Sequence, residues 1–121
     1  MRDDRTLVKD IIEQCNWIED HIRFYGENME TFLSNRRYQD NVVLSLERFG
    51  EAVNNLSVKL TTKHPEIDWP GIVGLRIIIA HHYWKLDLNQ IWHTAVEEMP
   101  VFKNQFEAIL DELNASMSGN I

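Results

Sequence analysis

Tyr38-Gln39-Asp40-Asn41-Val42-Val43-Leu44-Ser45-Leu46-Glu47-Arg48-Phe49-Gly50-Glu51-Ala52-Val53-Asn54-Asn55-Leu56-Ser57-Val58-Lys59-Leu60 carries the cleanest periodicity in the chain. Tyr38, Val42, Ser45 with Leu46, Phe49, Val53, Leu56 and Leu60 form one apolar stripe, with a period of about 3.5 residues. The spacing predicts one long amphipathic helix ending near Leu60. Gly50 lies inside the stripe and predicts close approach of a neighbouring helix rather than a break.

The same pattern extends on both sides. Leu7, Ile11, Cys15, Ile18, Ile22 and Tyr25 recur at spacings of three and four, one face of a long first helix. Gly26 is placed to end it. Asn28 to Leu33 reads as a short turn of helix carrying Met29, Phe32 and Leu33 inward, and Ser34 and Asn35 are good caps for the next helix. Thr61 to Asp68 reads as a loop containing Pro65. Asp68 caps a third major helix with Pro70 in its first turn, expected to run through Tyr83 or beyond. Asp87 caps another, with Gln90 three residues on in the manner of a capping box. Ile91, Trp92, Ala95 and Val96 lie along that helix. Pro100 begins the last one, with Phe102, Phe106, Ile109, Leu110 and Leu113 as its apolar positions. The expectation is an all-α, up-down bundle of about five to six helices, one domain over residues 1–114 with a frayed tail at 115–121.

Composition agrees. The 121 residues are 44% hydrophobic, with four Trp and five Phe, enough for a modest core. Five glycines and three prolines favour helices over many short strands. The net charge of −7 argues against a protein that coats nucleic acid by charge alone. Any nucleic-acid site must be local, a few cations in an acidic shell. The single Cys15 excludes an internal disulfide and falls on the buried stripe of the first helix. No secretory h-region follows Met1 and no apolar run approaches a membrane span, so a cytoplasmic protein without membrane attachment is expected.

The chemistry sits in Arg76-Ile77-Ile78-Ile79-Ala80-His81-His82-Tyr83. Arginine offers phosphate a planar fork of donors, and histidine can move protons near neutral pH. Together they suffice to cleave RNA without a metal when the RNA's 2′-hydroxyl is the nucleophile. At about 100° per residue, Tyr83 returns to within about 20° of Arg76, whereas His81 lies about 140° away. One helix therefore does not bring the Arg and His tips onto one phosphate; a second copy across a symmetry axis could. The structural alternative is that Arg76 pairs with a carboxylate on a neighbouring helix, with His81 a satisfied core histidine and Tyr83 an ordinary interfacial side chain. Adjacent His81 and His82 diverge by about 100° and cannot chelate one ion from the same helix, and no His-rich spacing with His21, His64 or His93 supports a metal or other cofactor.

These residues resemble the HEPN-domain ribonuclease toxins of the HepT type. The likeness runs through Tyr38-Gln39-Asp40, Leu46 to Val53, His64-Pro65-Glu66-Ile67-Asp68-Trp69, Gly74-Leu75-Arg76 leading into Arg-x4-His-x-Tyr at Arg76, His81 and Tyr83, then Asp87-Leu88, Ile91-Trp92 and Glu98-Met99-Pro100. It covers the chain from the first helix to about Leu110. The resemblance implies a homodimer with facing motif helices and a metal-independent endoribonuclease site. In it Arg76 binds the scissile phosphate and His81 acts as general acid or base. It implies an RNA substrate and a nucleotidyltransferase antitoxin partner that transfers AMP to Tyr83, beside Arg76. One departure stands out. The family usually has a polar residue, most often asparagine, directly after the arginine, and here Ile77 occupies that place, one turn before His81. Ile77 implies weakened catalysis, and it leaves open a non-catalytic dimer that serves as a platform for the nucleotidyltransferase. A third reading is an unrelated bundle with a buried Arg–His network.

Overall fold

α1 (Asp4–Tyr25) begins where Asp3 accepts a hydrogen bond from the Thr6 amide at 2.8 Å. It ends at Gly26, whose φ of +109° suits glycine and whose N–H donates to the Ile22 carbonyl. The chain is described by a computed structural model over residues 2–81 and 85–117. α2 (Met29–Ser34) and α3 (Arg36–Asn54) follow, capped by Asn28 and Asn35. Of the three α2 residues expected inward only Phe32 is buried, while Met29 and Leu33 are exposed. Phe32 is the anchor, its ring packed on Tyr38 and Trp92 with centroids 5.1 and 5.2 Å away, and Met29 and Leu33 flank it at the surface.

The long helix expected to reach Leu60 stops at Asn54. The Asn55 side chain donates back to the Glu51 carbonyl at 2.9 Å, and Ser57 caps a separate α4 (Val58–Lys63), accepting from the Leu60 amide. Asn and Ser compete for backbone bonds in helix interiors, so this short polar run breaks the helix. Leu56 and Leu60 are buried all the same. Asp4 of α1 holds Ser57 through its amide at 2.9 Å and its hydroxyl at 2.5 Å.

α5 (Trp69–His81) starts as expected, with Asp68 accepting from the Gly71 amide at 3.0 Å. Tyr83, where the helix was expected to end, lies outside the described residues, as does His82. α6 (Leu88–His93) is capped by Asp87. Gln90 does not close a capping box; its amide reaches forward to the Thr94 hydroxyl at 3.4 Å. The chain does not break before Pro100. It passes through a π-turn, Thr94–Glu98, into α7 (Met99–Met117), with the Met99 N–H donating to the Thr94 carbonyl. Pro100 has no N–H for the Val96 carbonyl and its ring would strike that oxygen, so the backbone widens by one residue instead of ending. With α6 and α7 as one rod, six helices and no strand appear among the described residues.

α1 runs antiparallel to α3 and to α7. Asn41 donates to Tyr25 at one end of the α1–α3 pair and Ser57 to Asp4 at the other, while α7 is pinned by Arg5 to Asn114 and Lys103 to Glu19. The core is built on Val8, Ile11, Ile18, Val42, Leu46, Phe49, Phe106 and Ile109. Tyr25, Phe32, Tyr38 and Trp92 close one end with ring contacts of 4.7–6.0 Å. Cys15 is buried as expected, and burial pushes its thiol up to about 12.

Candidate functional site

Arg76 projects from the side of α5 that meets α3, and Gly50 lets it do so. A Cβ on Gly50 would come to 3.1 Å from the Arg76 Cβ and 3.4 Å from its Cγ. Any side chain there would push the helices apart at the arginine. The next residue, Glu51, then holds the guanidinium: Nε donates to Oε2 at 3.0 Å and Nη2 to the same oxygen at 2.7 Å. The pair sits at the surface, with the Arg76 side chain 34% exposed. Two donors on one carboxylate oxygen fix the plane of the guanidinium and leave three of its five N–H groups for another acceptor. The Arg76 cation holds the Glu51 carboxyl below its ordinary value, so the carboxylate stays charged at neutral pH.

Pairing with a neighbouring carboxylate is what the structural alternative expected of Arg76. The rest of that alternative does not follow. His81, the last residue of α5, is exposed rather than satisfied in the core, and the Arg76–Glu51 pair is not a buried network. The structure brings Arg76 together with Glu51, not with His81. Glu51 was missed as a site residue by spacing alone, although a glycine followed by an acid in the helix that packs on the arginine was its signal.

The outward side of α5 is apolar. Val73, Ile77 and Ile78 are all about half exposed, Ile77 at 47%. Exposed apolar side chains gathered on one helix face form a candidate contact surface. Ile77 stands at the surface one turn before His81 and offers it no polar group. Among the described residues no cluster of three His, Cys, Asp or Glu side chains is arranged to hold a metal ion. No described helix is long and apolar enough to cross a membrane.

The sequence from residue 11 to 109 matches the family model described as "Ribonuclease HepT-like". The chain belongs to the HepT-like ribonuclease family. Relatives in this family span nearly its full length. A protein of Methanocaldococcus jannaschii named "Putative RNase" is 30% identical over 121 residues, 99% of this chain and 98% of its own. "Probable ribonuclease HepT" of Thermococcus cleftensis is 32% identical over 108 residues, 89% of this chain and 96% of its own. A second "Putative RNase", from Caldanaerobacter subterraneus subsp. tengcongensis, is 30% identical over 112 residues, 93% of this chain and 98% of its own. No solved structure matches. Membership in the HepT-like family removes the reading of an unrelated bundle, and a ribonuclease family implies an RNA substrate.

Proposed function

We propose that this HepT-like chain is a metal-independent endoribonuclease that works as a homodimer. The observation that carries the proposal is the surface-held Arg76, fixed by Glu51 beside an apolar α5 face that a second copy would cover. Arg76 binds the scissile phosphate with its free donors and takes up the charge that develops on the equatorial oxygens. His81 accepts the 2′-hydroxyl proton as that oxygen attacks phosphorus. The P–O5′ bond breaks, the leaving oxygen takes a proton from the protonated imidazole, and the products are a 2′,3′-cyclic phosphate and a 5′-hydroxyl. On one helix Arg76 and His81 diverge by about 140°, so the productive pair is Arg76 of one protomer with His81 of its partner.

The chain acts in this reading as the toxin of a pair. Its neutralising partner is a nucleotidyltransferase that moves AMP from ATP to the Tyr83 hydroxyl, releasing pyrophosphate. The seven-residue spacing from Arg76 puts Tyr83 within about 20° of it in the sequence's helical pattern, and in this reading the added anion competes with RNA for the arginine. Ile77 supports a second reading, a catalytically weak dimer that serves as a platform for that partner, because isoleucine cannot orient His81 or touch phosphate.

Cleavage of total RNA by the purified protein tests the first reading. Arg76→Ala and His81→Ala each abolish cleavage and relieve growth inhibition if it is right, and Ile77→Asn raises the rate. Unchanged cleavage in both alanine variants selects the platform. Intact mass after co-expression with the neighbouring gene, with peptide mapping, tests the partner: added AMP on Tyr83 supports transfer, and an unmodified Tyr83 in a tight complex supports inhibition by binding.

A further inference from the structure

Beside the Arg76–Glu51 pair lies a surface with a different composition. On α3, Arg37, Leu44 and Arg48 share one exposed face, seven and four residues apart and within about 40° of each other. On α1, Trp17, His21 and Phe24 form a ridge at spacings of four and three. Trp17 is 48% exposed and Phe24 81%. The Trp17 and His21 rings stack with centroids 5.9 Å apart and planes 21° apart. Burial lowers the His21 pKa, so the ring is neutral at pH 7 and stacks as an uncharged aromatic.

The antiparallel register of α1 and α3, pinned by Asp4 with Ser57 and Tyr25 with Asn41, sets the aromatic ridge alongside the turn from Leu44 to Arg48. A groove of about 370 Å³ continues from there. Gln14 on one wall and Arg48 on the other lead to Glu51, the residue that grips Arg76. The strip therefore ends at the candidate site.

Its charges are arranged by pairing. Asp10 holds Arg2 at 2.5 Å, Asp20 holds Arg23 at 3.0 Å, and Glu51 holds Arg76, while Glu13 and Glu47 flank the strip. Arg37 and Arg48 form no hydrogen bond or ion pair among the described residues. On a chain of net charge −7, two unpaired arginines beside exposed stacked rings fit an anion that carries flat apolar faces. Single-stranded RNA is such a ligand.

We propose that this strip is a platform for single-stranded RNA, on which nucleotides flanking the scissile phosphate stack on Trp17 and Phe24 while their phosphates meet Arg48 and Arg37. The proposal rests on the ribonuclease reading and extends it to substrate class: the enzyme takes unpaired RNA, since a duplex keeps its bases from the rings. Stacking and backbone contact are indifferent to base identity, so the platform sets strandedness rather than sequence.

A fluorescein-labelled 2′-O-methyl oligoribonucleotide, which lacks the nucleophile, is titrated by anisotropy into the Arg76→Ala protein, so that binding reports the strip without the catalytic arginine. Trp17→Ala and Arg48→Ala in that background each weaken binding about ten-fold. Trp17→Phe retains it within about two-fold, and Arg48→Ala lowers the slope of log affinity against log salt by about 0.7. A duplex of the same sequence binds more weakly than the single strand. Absence of binding to Arg76→Ala, or binding by the Trp17→Ala and Arg48→Ala variants as tight as that of Arg76→Ala alone, overturns the platform. Variants that change sedimentation mass but leave RNA affinity alone overturn it too, by making the face a protein contact. Cleavage plays no part in the readout, so a failed ribonuclease reading and a failed platform give different results.

Discussion

At the scale of single residues, the site depends on one missing side chain and one carboxylate. Replacing glycine by alanine inside a helix ordinarily gains about 1 kcal/mol. At Gly50 the new Cβ would stand 3.1 Å from the Arg76 Cβ, an atom fixed to the backbone that cannot swing away. Overpacking of this kind costs about 1–3 kcal/mol. Gly50→Ala is therefore expected to lose about 1 kcal/mol in urea denaturation, and a gain of that size would show that the helices are not in tight contact here. Glu51→Gln separates two effects. In the proposed reaction the carboxylate repels an incoming phosphate but fixes the guanidinium that would receive it. Losing it should tighten RNA binding about two-fold and lower the single-turnover rate about ten-fold. A rate that rises along with binding would mean that Glu51 only blocks Arg76. Because Arg76 depresses the Glu51 pKa, neither effect should vary with pH above its ordinary value of 4.5.

Secondary-structure elements were legible wherever a periodic stripe met a cap. Asp68, Asp87 and Asn35 begin helices where expected, and Gly26 ends one. The failures share a cause. The stripe through Leu56 and Leu60 persists in burial although the helix under it breaks, because periodicity records which residues face the core and not whether the backbone is continuous. Pro100 misled in the opposite direction, since a π-turn carries the helix past it. Arg76 and His81 stood out as candidates from residue type and spacing. Glu51 was not, because its role arises from a contact between helices 25 residues apart in sequence. The joint between α4 and α5 makes its own prediction. His64, buried, faces Glu66 at 3.1 Å and Glu112 at 3.6 Å, Lys63 pairs with Glu112, and Trp69 donates to the His64 carbonyl at 2.9 Å. The Glu66 carboxyl is held low first by a backbone hydrogen bond, and that of Glu112 first by Lys63. Depressed carboxyl values give stability that is present above the unfolded value near 4.5 and lost as pH falls through the folded one. The melting temperature should fall as pH drops below about 4.5, and Glu112→Gln should flatten that fall. An unchanged acid slope in the variant would remove Glu112 from the joint's stabilisation.

At the scale of the whole molecule, the question is where one active site gets its parts. Within a protomer Arg76 turns toward α3 while His81 stands about 140° around the helix, and the apolar outer face of α5 lies between protein and solvent. If two copies close over that face, each site takes Arg76 from one chain and His81 from the other. This arrangement can be separated from a site within one protomer by mixing two inactive proteins. Arg76→Ala retains His81, and His81→Ala retains Arg76. After unfolding and refolding together in equal amounts, half of the dimers are mixed, and each mixed dimer holds one complete shared site of two. Cleavage should return to about a quarter of the unaltered protein's rate, as two-fold symmetry requires. A site confined to one protomer returns nothing on mixing, because no chain then carries both groups. Val73→Asp in either variant should abolish the recovery by placing a charge in the covered face, while leaving the monomer's helical content unchanged. Recovery that survives Val73→Asp would move the dimer interface elsewhere on the molecule, and the outer side of α5 would need another explanation for its apolar surface.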